Sequence, residues 1–207
     1  MPITAKLVAN LITAAGVGRV LTMDLHAGQI QGFFDIPVDH LYAAPVLIKY
    51  LREKHPEPVV VVSPDVGGLK MSDAYAKALD APLAIVGKRR ISATKVEAIN
   101  VIGEVEGRNV LLVDDMTETA GTLCAASELL KERGAKRIFA GVSHAVLGTI
   151  GHQRLKDSCI EELITTDSTP MARGDKVTTL SISGLMAEAI KRIHDYESVT
   201  SLFDIKD

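Results

Sequence analysis

The chain has 207 residues, 47% of them hydrophobic and 24% charged, with a formal charge of -3. That length and composition give a folded globular protein with a sizeable core and exclude a disordered or low-complexity class. With no basic field to attract nucleic acid or an anionic membrane, any anionic ligand has to be held by local groups. In chain order, LVANLITAA reads as a helix closed by Gly16, followed by the strand RVLTMDL and the helical stretch LYAAPVLIKYLREK. Pro56 and Pro58 then turn the chain into the strand PVVVVSPD, a helix through AYAKAL follows, and LAIVGK is the next strand. The second half continues with NVLLVDD, the helix TLCAASELLKER closed by Gly134, the strands RIFAGVSH, ELITTDS and VTTLSIS, and the helix LMAEAIKRIH.

Alternating strands and helices are the pattern of βαβ units around a parallel sheet. VVVVS and VLLVDD lack apolar/polar alternation, as expected of strands covered on both faces. The fold class is therefore α/β. KRRISATKVEAI, residues 88 to 99, is too polar for the core and reads as a surface loop. Cys124 and Cys159 lie in no metal-type spacing and read as core thiols in a reducing compartment. No apolar run approaches a bilayer span, and MPITAKLVANL has no signal-peptide pattern, so a cytoplasmic location is expected.

In open parallel sheets, ligands bind beyond the carboxyl ends of the strands. The most polar end is VLLVDDMTETAGT, where an apolar strand delivers Asp114 and Asp115 and a short loop carries Glu118, Thr119, Ala120, Gly121 and Thr122 into a helix. Loop amides and a helix N-terminus suit a phosphate, and the two aspartates suit ribose hydroxyls or a cation. A simpler role is open to Asp115 or Thr119, capping the helix that follows. As a pattern, D-D-x-x-x-T-x-G-T resembles the binding loop of type I phosphoribosyltransferases and of the ribose-phosphate diphosphokinases.

A second strand end separates those two families. From Asp24 to Asp39, DLHAGQIQGFFDIPVD resembles the signature of ribose-phosphate diphosphokinases, with Asp24, His26, Gln29, Gln31, Gly32, Phe33, Phe34, Pro37 and Asp39 in place. The resemblance continues through SPDVGG, KRR, the acidic loop and ESVTSLF. It implies a reaction in which the diphosphoryl group of MgATP passes to the anomeric hydroxyl of ribose 5-phosphate, giving 5-phosphoribosyl 1-pyrophosphate and AMP. The same resemblance puts His26 on the ATP side, makes His26 and Asp65 contacts to Mg2+, and makes Lys88 the catalytic lysine. Arg90 becomes a catalytic, substrate-contacting arginine, while Asp114, Asp115 and residues 118 to 122 hold ribose 5-phosphate. Read as residues alone, His26 is a strand-end imidazole, Asp65 starts a turn before Gly67 and Gly68, and Lys88 to Arg90 is a solvated charge run.

Several positions depart from the family pattern. Lys70 stands where an arginine is usual, so a point charge replaces a planar fork. Glu118 replaces aspartate, Gly28 replaces the aspartate of the DLHADQ form, and Ile91 and Ser92 follow KRR in place of proline and arginine. The resemblance starts near the end of the family's first domain. Residues 1–45 are thus expected to be a remnant of an N-terminal phosphoribosyltransferase-like domain, 46–190 a complete C-terminal one, and 191–207 a tail packing on the first. The helix at 4 to 15 should then expose apolar surface and promote association. The family also implies homo-oligomers, hexamers built from dimers, or association with a full-length subunit. Two rival functions are a salvage phosphoribosyltransferase, for which DLHAGQIQGFFDIPVD has no purpose, and a non-catalytic regulatory subunit.

Overall fold

A computed structural model of the chain describes residues 4–90, 96–170 and 173–203, with only the backbone described at 88–90 and 96–99. The elements are α1 (Thr4–Ala14), β1 (Val20–Met23), β2 (Val38–Leu41), α2 (Ala44–Lys54), β3 (Val59–Ser63), α3 (Leu69–Ala78), β4 (Leu83–Arg90) and β5 (Val96–Ile102). They continue with β6 (Asn109–Thr117), α4 (Gly121–Glu132), β7 (Arg137–Ala145), α5 (Thr149–Asp157), β8 (Glu162–Thr166), β9 (Val177–Leu180) and α6 (Ser183–His194). Short 3-10 helices occupy Gly28–Phe33 and Thr200–Phe203.

Seven strands form one sheet in the order β5-β4-β3-β6-β7-β8-β9, parallel throughout except for β5, which runs antiparallel to β4. β1 and β2 make a separate two-stranded parallel ladder, Val20 opposite Val38 and Met23 opposite Leu41. Successive residues of a strand face opposite sides, and the central strands feed two cores accordingly. Val60, Val62, Val110 and Leu112 pack with Leu123 and Leu130 of α4 and Leu155 of α5. Val61, Leu111 and Val113 pack on the other face with Leu47 of α2, Tyr75 of α3, Ala189 of α6, and with Met23 and Leu41 of the small ladder. Burial on both sides accounts for the unbroken apolar runs of β3 and β6.

From β3 the chain moves outward to β4 and β5, then returns to lay β6 on the opposite side of β3. The gap between β3 and β6 is the topological switch point, where the loops leave in opposite directions and open a crevice. Asp65 follows β3 and Asp114 and Asp115 lie near the end of β6, so both acidic strand ends border that crevice.

Gly16 and Gly134 end their helices at φ 88 and 84, left-handed values that a side chain disfavours. The polar stretch at 88 to 99 is not wholly a loop. Its ends belong to the β4–β5 hairpin, with Lys88 opposite Ala98 and a bulge between Gly87 and Lys88, while residues 91–95 lie outside the described residues. Polar side chains argue for a loop, but a hairpin ladder pairs backbone groups whatever the side chains are. Cys124 is buried as expected, whereas Cys159 is exposed in the turn after α5, where the next buried residue is Ile160. On α1 only Ala9 is buried, and Leu7 and Leu11 are 59% and 61% exposed. Among the described residues no helix is long and apolar enough to cross a membrane.

Candidate active site

β6 carries Asp114 and Asp115 just past the apolar run Val110 to Val113. Asp114 is partly buried, and its Oδ1 accepts a hydrogen bond from the Asp115 amide at 3.0 Å. Burial, then the hydrogen bond and charge of Asp115, then the charge of Asp65, push the Asp114 carboxyl up to about 7. Asp114 and Asp115 stand side by side at the crevice, and the charge of Asp65 is felt across it.

Past Thr117 the chain turns through exposed Glu118 and Thr119 to buried Ala120, which caps α4 in the left-handed conformation, φ 53 and ψ 9. No side chain caps this helix, so neither Asp115 nor Thr119 is spent on that simpler role. The first bond of α4 runs from the Cys124 amide to the Ala120 carbonyl at 2.9 Å. The amides of Gly121, Thr122 and Leu123 therefore precede the helical ladder, the arrangement that binds anions at helix starts.

After β3, Ser63 Oγ donates to the Asp65 carbonyl at 2.6 Å and the Gly68 amide donates to Asp65 Oδ1 at 3.1 Å. A Cβ on Gly68 would stand 3.1 Å from Ser63 Oγ, a tight contact that the turn would have to shift to accept. Asp65 does form the turn expected of it, and it also presents its charge to Asp114 and His26.

The end of β1 is anchored by Asp24, 4% exposed and at φ 40. Its Oδ2 accepts from the Ala43 amide at 2.9 Å and from Ser143 Oγ of β7 at 2.5 Å. His144 Nε2 reaches the carbonyls of Met23 and Asp24 at 3.1 and 3.2 Å, while its Nδ1 lies 2.7 Å from Ser168 Oγ. The Leu25 amide donates to His40 Nε2 at 2.9 Å, and burial holds the His40 imidazole below its ordinary value. This framework puts His26 over the end of β6, with Nδ1 2.7 Å from Asp115 Oδ2. The hydrogen bond and charge of Asp115 raise the His26 pKa against a small opposing effect of burial.

The structure therefore brings His26, Asp65, Asp114, Asp115 and Thr122 onto one cleft of about 570 Å³. A second cleft of about 720 Å³ shares His26 and Gly67 with it and is lined by Gln29, His40, Tyr42 and Lys70. Glu118, Thr119, Ala120 and Gly121 form the loop beyond Asp115 and do not line the first cleft. The backbone of Lys88 and Arg90 lies at the carboxyl end of β4, beside β3, and their side chains lie outside the described residues. Among the described residues no three His, Cys, Asp or Glu side chains are grouped to cage a metal by themselves. The donor set still fits Mg2+, which is commonly held by one or two carboxylates and completed by water and substrate phosphates. Sequence reasoning passed over the roles of Asp24, Ser143 and His144, since only the fold brings β1 against β7.

A mostly parallel sheet with acidic strand ends at its switch point and a glycine- and threonine-bearing loop leading into a helix defines the type I phosphoribosyltransferase fold. Residues 88–204 match the family model described as phosphoribosyl synthetase-associated domain. The chain is similar to the ribose-phosphate pyrophosphokinase of Chromobacterium violaceum, 51% identical over 99% of this chain and 64% of that protein. The Gloeobacter violaceus ribose-phosphate pyrophosphokinase is 52% identical over 97% of this chain and 62% of its own length. Among solved structures, phosphoribosylpyrophosphate synthetase from Mycobacterium smegmatis superposes with a TM-score of 0.87 at 39% identity, over 95% of this chain and 65% of that one. The chain belongs to the ribose-phosphate pyrophosphokinase family and spans about 64% of the length of the relatives it matches.

Proposed function

We propose that this chain carries the ribose 5-phosphate side of a diphosphoryl transfer from MgATP, yielding 5-phosphoribosyl 1-pyrophosphate and AMP. The observation that carries the reading is the convergence of His26 and Asp115, 2.7 Å apart, where the segment that sets these synthetases apart meets the acidic strand end common to phosphoribosyl sites.

In this reading Asp114 and Asp115 accept hydrogen bonds from the ribose hydroxyls, and the amides of residues 118 to 122 with the Thr119 and Thr122 hydroxyls hold the 5-phosphate. The anomeric oxygen is then aimed across the cleft at the triphosphate. Its attack on the β-phosphorus breaks the bond to the α-phosphate oxygen, and AMP leaves. Phosphoryl chemistry of this kind is mostly positioning and charge stabilisation. Lys88 and Arg90, at the end of the strand next to β3, supply positive charge to the transferring group. His26 and Asp65 are the side chains that would hold Mg2+, which when bound neutralises triphosphate charge. Lys70, on the second cleft, is a further cation on the donor side.

The division into a remnant at 1–45, a domain at 46–190 and a tail at 191–207 belongs to the same reading. So does a cytoplasmic setting, where both substrates are found. Homo-oligomeric assembly is supported by the apolar face of α1, where Leu7, Val8 and Leu11 are exposed.

The deciding experiment incubates the chain with MgATP in the presence and absence of ribose 5-phosphate and measures AMP. Formation of AMP only with the sugar phosphate is expected. ADP as the sole product, or AMP formed equally without it, would overturn the proposal.

A further inference from the structure

The loop proposed for the 5-phosphate rests against α5, a helix outside the acidic and cationic motifs. A Cβ at buried Gly151 would lie 2.9 Å from the Glu118 carbonyl oxygen and 3.4 Å from the Thr119 Cα. Real Cβ atoms essentially never come that close to backbone, so glycine is what lets α5 seat directly on the loop.

Three residues on, and so on the same face of the helix, is Arg154. Its Nη1 donates to the Thr119 carbonyl at 3.3 Å, and a Cβ on Gly121 would stand 3.1 Å from the same nitrogen. The guanidinium thus reaches the backbone on both sides of Ala120, the left-handed residue of the loop. Its charge is also felt at Cys124 in the first turn of α4: burial raises that thiol, and Arg154 is among the groups pulling it back.

Every peptide bond of the described chain is trans, so the Thr119 carbonyl and the Ala120 amide point in opposite directions within their shared plane. A cation that holds the carbonyl toward α5 turns the amide away from α5, to the side on which an anion would be met. Arginine suits this task because it is always charged, donates only, and presents its N–H groups in a fixed fork.

We propose that Arg154 is a positioning residue for phosphate recognition, fixing the direction of the Ala120 amide through the Thr119 carbonyl, with Gly151 as the seat that brings it within reach. The inference deepens the functional reading above and rests on it. It concerns the phosphate end of the substrate and leaves the triphosphate side untouched.

The test is calorimetric titration of the full chain and of Arg154→Ala, Arg154→Lys and Gly151→Ala with ribose 5-phosphate and, separately, with MgATP. Arg154→Ala should weaken ribose 5-phosphate by about tenfold, the scale of one hydrogen bond to a charged group, and leave MgATP unchanged. Arg154→Lys should recover part of the loss, and Gly151→Ala should shift in the same direction as Arg154→Ala. Unchanged ribose 5-phosphate affinity in Arg154→Ala, or equal losses for both ligands, would overturn the inference. A parent chain that binds no ribose 5-phosphate would instead overturn the functional reading, and this inference with it.

Discussion

His26 and Asp115 lie 89 positions apart in the chain, and their side chains meet at 2.7 Å over the switch point of the sheet. The imidazole is 73% exposed and the carboxylate 15%, so the pair stands at the mouth of the cleft with its acid recessed. Because Asp115 is the main cause of the raised His26 pKa, Asp115→Asn should bring the imidazole back toward its ordinary value. A proton NMR titration of the His26 ring reads this directly; an unchanged midpoint would mean the pair does not persist in solution.

Asp114 gives a pH dependence of opposite sense to ordinary acid unfolding. In the fold its proton is held to about 7, while the unfolded chain releases it near the ordinary aspartate value of 3.8. Between those values the native state binds more protons, so this residue makes stability fall as pH rises from about 4 to about 7. Urea unfolding across that window should show the decline, and Asp114→Asn should flatten it. A variant with the same slope as the parent would assign the effect elsewhere.

Asp24, just past β1, accepts from the Ala43 amide at the start of α2 and from Ser143 Oγ of β7, tying three elements together. Asp24→Ala would leave the Ala43 amide and the Ser143 hydroxyl without their acceptor in the core, at a cost of roughly 2–5 kcal/mol. Asp24→Asn keeps an acceptor oxygen and tolerates the left-handed backbone, so it should cost clearly less. Equilibrium urea unfolding of the two variants tests the order.

Lys88 is predicted to act on the transferring group and not on the sugar phosphate. Lys88→Ala should lower turnover by about two orders of magnitude or more while leaving ribose 5-phosphate affinity nearly unchanged. Single-turnover kinetics alongside equilibrium titration separates the two effects, and equal loss in both would give the lysine a binding role.

Much of this architecture is written in the sequence because the central strands are apolar on both faces. VVVV and VLLV fit strands packed between helices, and the acids that follow them mark the ligand side. α5 is harder to read: TIGHQRLKD buries only Gly151 and Leu155, too little apolar periodicity to stand out. β5 is hidden for the same reason, since its ladder with β4 asks nothing of side-chain polarity. Within the candidate site, the contiguous loop from Asp114 to Thr122 was legible as a unit, as was the candidacy of His26. Their meeting was not, because it depends on the order in which strands join the sheet and on Asp24, whose partners lie 19 and 119 positions away.

The central claim is that the acidic strand end and the His26 side of the cleft present two substrates to each other. Its most direct test is 31P and 13C NMR of the chain with MgATP and ribose 5-phosphate labelled with 13C at the anomeric carbon. This carbon should acquire a two-bond coupling to phosphorus while AMP appears in equal amount. An unaltered anomeric signal, with ATP hydrolysed to ADP and phosphate or left intact, would contradict it.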